Sequence, residues 1–324
     1  MRKTYDIAVL GATGAVGREM LQVLEQRDFP VGRLRLLASE RSAGQKISFR
    51  GTELPVEAAG PDSFRGCDLV LGATGAEQAR QFAPRIADAG AVFVDNSSAF
   101  RLEPGVPLVV PEVNGGAVRD HRGIIANPNC CTIIVLTAAA ALHRISPIRC
   151  LRVCTYQAVS GAGAAGLREL QRQLEGEMTP EVFPAPILGN LIPQIGEIDA
   201  AGETAEERKL RNEGRRILGV PDLAVDCTCV RVPVARCHSM AVTVETEAPI
   251  TPEQAVAAIG AASGCRLCDL PMPVEASGRD DVLVGRIRRC GAGPGLSFWC
   301  CGDQLRKGAA LNAVQIAELA IALH

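Results

Sequence analysis

The sequence predicts an α/β protein of two domains, a parallel sheet covered by helices followed by an α+β domain built on a mixed sheet. Three observations carry this expectation. A short apolar run at residues 6–10 leads directly into glycines at 11, 14 and 17 and then into a helical pattern. Strand-like and helix-like segments alternate through the first 127 residues, which is the signature of βαβ units. After residue 126 the alternation stops, and longer strand-like stretches take over.

In the first part, Met20, Leu21, Val23 and Leu24 form the apolar stripe of a helix. Leu34–Ala38 reads as the second strand, Asp68–Gly72 as a later one, Gln78–Ala87 as a helix and Ala91–Val94 as a further strand. In the second part, Thr132–Leu142 is an apolar helix and Arg149–Tyr156 a strand. Thr204–Ile217 is a polar helix; Cys229–Val234, Met240–Glu247 and Val282–Arg288 are strand-like. The last helix, Gly308–Leu323, is expected to pack back on the first domain. The division is therefore 1–127 with 305–324 for the first domain and 128–304 for the second.

Composition narrows the function. A chain of 324 residues that is 47% hydrophobic and 22% charged has the make-up of a globular protein with a large core. Its net charge of −2 offers no footprint for nucleic acid or an anionic membrane, and 3% aromatic residues leave little for stacking bases. No signal-peptide pattern or membrane-length apolar run is present, so a cytoplasmic location with reduced thiols is expected for the 13 cysteines. Cys227/Cys229 and Cys265/Cys268 are close pairs, but each lies beside strand-like apolar sequence, so no metal site is expected.

The glycines at 11, 14 and 17 follow a strand and open a helix. That context favours a Rossmann-type dinucleotide site, in which a tight turn lets the backbone approach a pyrophosphate at the helix N-terminus. The candidate contacts are Gly11, Thr13, Gly14, Ala15, Val16 and Gly17. After the second strand, Ser39, Arg41 and Ser42 supply donors suited to a 2′-phosphate, which points to NADP. Glu40 is a competing feature, fit for a ribose or for solvent.

Asn127-Pro128-Asn129-Cys130-Cys131-Thr132 precedes the apolar helix. A thiol at a helix N-terminus is favoured as thiolate by the dipole and by free N–H groups. Those N–H groups, with the Asn129 side chain, are candidates for holding an oxyanion. Helix-terminus physics selects Cys130 or Cys131 without separating them. Of the histidines at 121, 143, 238 and 324, the first is in a polar turn, the second reads as a solvated cap and the last is terminal. His238 sits where two strand-like segments meet, close in sequence to Arg231, and is the candidate proton-transfer partner.

With these residues in view, the chain resembles the aspartate-semialdehyde dehydrogenase family nearly end to end. The likeness runs through GATGAVG (11–17), LASERSAG (37–44), VDNSSAFR (94–101), PLVVPEVN (107–114), GIIANPNCCT (123–132), TYQAVSGAG (155–163), NLIPQIGE (190–197), VRVPVARCHS (230–239) and GDQLRKGAALNAVQIAE (302–318). The resemblance implies NADPH-dependent reduction of L-aspartyl 4-phosphate to L-aspartate 4-semialdehyde with release of phosphate, on the route to lysine, threonine, methionine and diaminopimelate. It implies a homodimer formed through the second, catalytic domain. It places the nucleophile on Cys130, with Asn129 beside it, the acid/base on His238 and a positioning glutamine on Gln157. It further places the substrate carboxylate at Arg231, its ammonium at Glu206 and its phosphate at Arg101 and Lys209. Ser160, Gly161 and Gln304 fall on the nicotinamide side. Without the resemblance, the 204–217 segment reads as a solvated charged helix.

This chain departs from the family pattern at Cys131, where serine or threonine is usual, at Cys237, usually glycine, and at Met240, where an acidic residue is common. Rival readings are N-acetyl-glutamyl-phosphate reductase, which shares the chemistry, and a catalytically silent binding relative. A short-chain-type oxidoreductase is disfavoured because neither Tyr5 nor Tyr156 has a lysine four residues on.

Overall fold

The computed structural model describes residues 3–291 and 294–323, in two compact units. Residues 1–128 and 309–324 bound the first unit, and 129–308 the second. His324 lies outside the described residues.

In the first unit, β1 (Tyr5–Leu10) feeds α1 (Ala15–Gln26), and β2 (Val31–Ala38) lies parallel to β1. A hairpin of β3 (Lys46–Phe49) and β4 (Thr52–Ala58) follows, joined at Arg50-Gly51, with no counterpart among the expected strands. Then come β5 (Leu69–Gly72), α2 (Ala76–Asp88), β6 (Val92–Asp95), the single turn α3 (Pro111–Asn114) and β7 (Ile124–Ala126). Among the described residues these strands form one seven-stranded sheet in the order β3-β4-β2-β1-β5-β6-β7. All neighbours are parallel except the β3–β4 edge. The chain runs outward from β1 to β2 and later returns on the other side of β1 to β5. The carboxyl ends of β1 and β5 therefore flank a topological switch point, where open α/β sheets bind ligands. The C-terminal helix Leu311–Ile321 joins this unit's core beside α1, burying Leu311, Val314 and Ile316.

The glycine loop is built for close approach. Gly11 has φ +91°, which favours glycine, and a Cβ there would lie 2.6 Å from the Ala73 carbonyl oxygen. A Cβ on Gly17 would lie 2.2 Å from the Gly11 oxygen. The third glycine thus lets the first turn of α1 pack on the loop itself.

The second unit begins with α4 (Cys130–His143), every residue of which from Cys131 to Leu142 is buried. A helix apolar all round belongs inside a domain. The unit continues with β8 (Ile148–Gln157), α5 (Gly163–Leu174), α6 (Ala205–Leu218), β9 (Ala224–Arg231), β10 (His238–Thr246) and α7 (Pro252–Gly260). Completing it are β11 (Cys265–Leu267), the single turn α8 (Pro273–Ala276), β12 (Val282–Arg289) and β13 (Leu296–Gly302). The sheet is mixed, in the order β11-β12-β13-β10-β8-β9, with β8–β9 and β11–β12 parallel and the other pairs antiparallel. One face packs on α4, with Val153, Val242, Val284 and Phe298 in the shared core. On β8 the alternate residues Arg152, Cys154 and Tyr156 turn the other way and stay wholly or partly exposed. The expected strand at Cys229–Val234 is instead β9, beginning at Ala224 and ending at Arg231. Its half-exposed pattern of cysteines and polar residues hid its start, and Pro233 lies beyond its end.

Replacing Gly17 with alanine forces the contact with the Gly11 oxygen to open. The expected outcome is a destabilisation of about 1–3 kcal/mol, read as a lower Tm, together with weakened dinucleotide affinity in a fluorescence titration. Unchanged values of both would contradict this account of the loop.

Candidate active site

In the second unit the start of α4 is capped by its own Asn129 and tied to α6. Asn129 is the N-cap: its Oδ1 accepts from the Cys131 and Thr132 N–H groups at 2.9 and 3.4 Å. Its Nδ2 donates to Glu206 Oε1 at 2.8 Å, and its backbone N–H donates to Glu213 Oε2 at 2.6 Å. Both carboxylates come from one side of α6, seven residues apart. The sequence offers the Asn129 side chain and the N–H groups of the first turn for an oxyanion. Here the Cys131 and Thr132 N–H groups cap the helix, and the Asn129 amide is directed at Glu206. The geometry therefore assigns Asn129 to fixing the helix start.

Cys130 is the first residue of α4 and is half-buried, whereas Cys131 is buried. Their sulfurs and a ring nitrogen of His238 all lie within 4.8 Å of one another. A hydrogen bond from the Cys131 thiol holds the Cys130 thiol well below its ordinary pKa despite burial, with the His238 ring contributing; the proximity of Glu206 opposes this. Cys131 is driven the opposite way, by burial and by the charge on Cys130. Of the adjacent thiols, Cys130 is the one poised as thiolate.

His238 opens β10 and is fully buried. The Ala158 N–H donates to its Nδ1 at 3.1 Å, so the neutral ring carries its hydrogen on Nε2. Nε2 is buried and without a hydrogen-bond partner. An orphaned donor of this kind awaits a ligand atom or a developing charge. The residue before it, Cys237, has φ +77°. This is the position where the sequence departs from a usual glycine, and the left-handed backbone shows why glycine suits it. The conformation is kept here by a 2.7 Å bond from the Cys237 N–H to Gln304 Oε1, while Gln304 Nε2 donates to Ser160 Oγ. Ser160 and Gln304 thus brace the backbone entering His238.

Gln157 ends β8, buried, with its Oε1 accepting from Thr155 Oγ1 at 2.9 Å and its Nε2 facing Glu206 Oε1 at 3.4 Å. Burial pushes the Glu206 carboxyl up, but Lys209 (2.9 Å) and the Asn129 and Gln157 donors outweigh it and hold the group below its usual value. The helix that reads from sequence as a solvated face in fact buries Glu206, Glu207 and Glu213. Arg231 ends β9, buried, and donates to the Ala158 carbonyl at 2.6 Å; burial lowers its pKa. Its guanidinium lies 5.8 Å from the Phe183 ring centre. A Cβ on Gly161 would stand 2.7 Å from Arg231 Nη1 and 3.1 Å from His238 Cε1, so the chain passes between the two only as glycine. Beside Arg231 opens a cleft of ≈ 460 Å³ lined also by Phe183, Pro184, Gln194 and Gly196. Phe183 and Glu213 escaped the sequence reading, since neither lies in a recognisable catalytic pattern.

In the first unit a second cleft, of ≈ 400 Å³, is lined by Gly11, Thr13, Gly14, Ser39, Thr74 and Gln78 among others. Thr74 Oγ1 is buried without a partner, and Gly11 and Gly17 leave no room for side chains. These residues fit a dinucleotide. Ser39 and Arg41 are exposed beside Ser42, whose Oγ lies 3.5 Å from Thr13 Oγ1. Thr74, Gly75 and Gln78 were missed, although Gly72-Ala-Thr-Gly75 after β5 repeats the small-residue turn that follows β1. Arg101 is also in this unit, buried, with its guanidinium donating to the Asn127 and Asn96 carbonyls at 2.9 and 2.7 Å.

Two family models match the chain: the NAD binding domain of semialdehyde dehydrogenase over residues 6–121 and the semialdehyde dehydrogenase dimerisation domain over residues 139–307. An aspartate-semialdehyde dehydrogenase of Synechocystis sp. is 50% identical over 99% of this chain and 98% of its own length. One from Aquifex aeolicus is 46% identical over 98% of each. The crystal structure of aspartate semialdehyde dehydrogenase II from Vibrio cholerae, complexed with ASA, superposes with a TM-score of 0.96 at 43% identity, covering 99% of each chain. The chain belongs to the aspartate-semialdehyde dehydrogenase family.

Proposed function

We propose that this protein reduces L-aspartyl 4-phosphate to L-aspartate 4-semialdehyde with NADPH, through a thioester on Cys130, and serves lysine, threonine and methionine biosynthesis in the cytoplasm. The observation that carries the reading is the meeting, within one unit, of a thiolate-poised Cys130 with a buried, unpartnered His238 Nε2. A rival acyl-phosphate reductase acting on another amino-acid derivative would use the same pair. That the relatives are aspartate-semialdehyde dehydrogenases, and that the Vibrio cholerae enzyme is complexed with ASA, favours the aspartyl substrate.

The Cys130 sulfur attacks the acyl carbon, a C–S bond forms, and the bond to the phosphate oxygen breaks. Lys209 and Arg101 take the departing phosphate. Arg231 receives the substrate carboxylate in a bidentate pair, and Glu206 the ammonium. When bound, the dinucleotide supplies the hydride that reduces the thioester. His238 Nε2–H donates to the substrate oxygen as negative charge grows on it, and releases it as the carbonyl re-forms and the sulfur departs. Gln157 holds the acyl group beside the sulfur. Asn129 keeps Cys130 at the helix start. Gly11 to Gly17 carry the pyrophosphate; Ser39, Arg41 and Ser42 take the 2′-phosphate and so select NADP over NAD. Ser160, Gly161 and Gln304 shape the nicotinamide side. The homodimer forms through the sheet face that β8 leaves open, where the Tyr156 and Trp299 rings lie tilted against each other with centres 5.2 Å apart.

The test follows NADPH formation from aspartate semialdehyde and phosphate. Wild-type protein is expected to turn over with NADP far faster than with NAD, and Cys130→Ala to lose all measurable turnover while still binding NADP. Full activity in Cys130→Ala would sink the mechanism, and equal rates with both dinucleotides would sink the assignment of Arg41 and Ser42.

Cys131→Ala removes the donor to the Cys130 sulfur, so the Cys130 pKa is expected to rise. At a fixed pH below it, less thiolate is then present, and the midpoint of iodoacetamide inactivation against pH moves upward. Cys131→Ser, which restores an O–H donor, moves it back toward wild type. A midpoint indifferent to both changes would contradict the role given to Cys131.

A further inference from the structure

The segment joining α5 to α6 is long, residues 175–204, and has no helix or long strand of its own. It nevertheless supplies Val182, Phe183 and Pro184 to the cleft beside Arg231. A long irregular segment keeps a fixed course only where its backbone groups find partners. Here the partners are two side chains one turn apart on α5. Glu169 is fully buried, and its Oε2 accepts from the N–H groups of Glu181 and Val182 at 3.0 and 2.5 Å. Gln173, also buried, accepts at Oε1 from the N–H groups of Ile187 and Leu188 at 2.9 and 2.8 Å. The two grips are tied together, Gln173 Nε2 donating to Glu169 Oε1 at 3.1 Å.

Between the grips run Phe183, Pro184, Ala185 and Pro186, whose prolines have no N–H to satisfy and a fixed φ. What projects from this short span toward the cleft is the Phe183 ring, 5.8 Å from the Arg231 guanidinium. Space for the ring is reserved by Gly166 on α5, where a Cβ would lie 3.1 Å from Phe183 Cζ. Ile187 anchors the far side in a small core with Val159, Leu170 and Ile192. None of these contacts reaches Cys130 or His238.

We propose that Glu169 and Gln173 are positioning residues that clamp the Phe183 wall against Arg231 and thereby set how tightly the carboxylate end of the substrate is held. The proposal rests on the reading that Arg231 receives that carboxylate. A clamp acting on the binding wall alone changes KM for the carbon substrate and leaves the chemical step alone. A purely structural role would lower stability and depress all kinetic constants together.

The experiment is steady-state kinetics of full-length Glu169→Ala, Glu169→Gln, Phe183→Ala, the Glu169→Ala/Phe183→Ala double variant and Arg231→Lys, with Tm recorded for each. Glu169→Ala is expected to raise KM for aspartate semialdehyde roughly ten-fold, the effect of losing about one buried hydrogen-bonding grip. kcat and KM for NADP should stay within about two-fold, because the reacting groups are untouched. Glu169→Gln, which keeps an acceptor oxygen, should fall between wild type and Glu169→Ala. Phe183→Ala should raise the same KM, and the double variant should be no worse than the more affected single variant, since both act through one wall. Additive effects, or a parallel loss in every constant, overturn the proposal; if Glu169→Ala does not fold, the comparison of Glu169→Gln with Phe183→Ala decides it by the same KM criterion. Should Arg231→Lys leave the semialdehyde KM unchanged while the clamp variants raise it, the carboxylate reading fails and the claim that the clamp acts through Arg231 falls with it. The reverse pattern removes the clamp and leaves the carboxylate reading intact.

Discussion

The first turn of α4 is the constraint on which the rest of the second unit depends. A helix buried on all sides has to begin somewhere, and its leading N–H groups need partners. Asn129 meets two of them with its carbonyl oxygen and hands its own N–H and amide to Glu213 and Glu206 on α6. The position of Cys130 is thereby fixed by side chains some eighty residues away in sequence. The same arrangement brings a carboxylate close to the sulfur, which works against a thiolate. Lys209 offsets that charge by pairing with Glu206, and the Cys131 thiol and His238 ring favour the ionised sulfur directly. The Cys130 sulfur therefore sits among opposing local fields.

Much of this was legible in the sequence because it is written in local patterns. Strand, glycines and helix at residues 6–25 identify the dinucleotide loop, and the contacts that exclude a Cβ at Gly11 and Gly17 give its physical basis. The helix after Asn129 was legible as a helix start, but helix-terminus physics could not choose between Cys130 and Cys131. Cys130 is the less buried of the two, which favours it as the thiol that meets substrate. What escaped were features created by long-range packing. The buried glutamates of α6 look like a solvated face until the α4 terminus lies against them. The strands β3, β4 and β9 alternate only over short runs, with Pro55 inside β4 and cysteines at the apolar positions of β9, so their signal is weak. His143, which reads as a solvated cap, is half-buried and accepts the Ile148 N–H on Nδ1 at 3.0 Å.

Cys237 shows how a departure from a family pattern can be absorbed. A non-glycine residue at φ +77° is strained, and it stands immediately before the histidine whose placement matters most. The backbone is held in place by Gln304, itself bonded to Ser160, so residues assigned from resemblance to the nicotinamide side also secure His238. Met240, where an acidic residue is common, is fully buried in the sheet core and bears on packing alone.

The central claim is that Cys130, and not its neighbour, carries the acyl group. The most direct measurement is mass spectrometry of the protein mixed with aspartate semialdehyde and NADP in the absence of phosphate, quenched in acid. Oxidation can then proceed as far as the thioester, but the acyl group has no phosphate to leave with. The account predicts one aspartyl group per chain, located by fragmentation on Cys130 and released on adding phosphate. An acyl group on Cys131, or no covalent adduct while NADPH is formed, would contradict it.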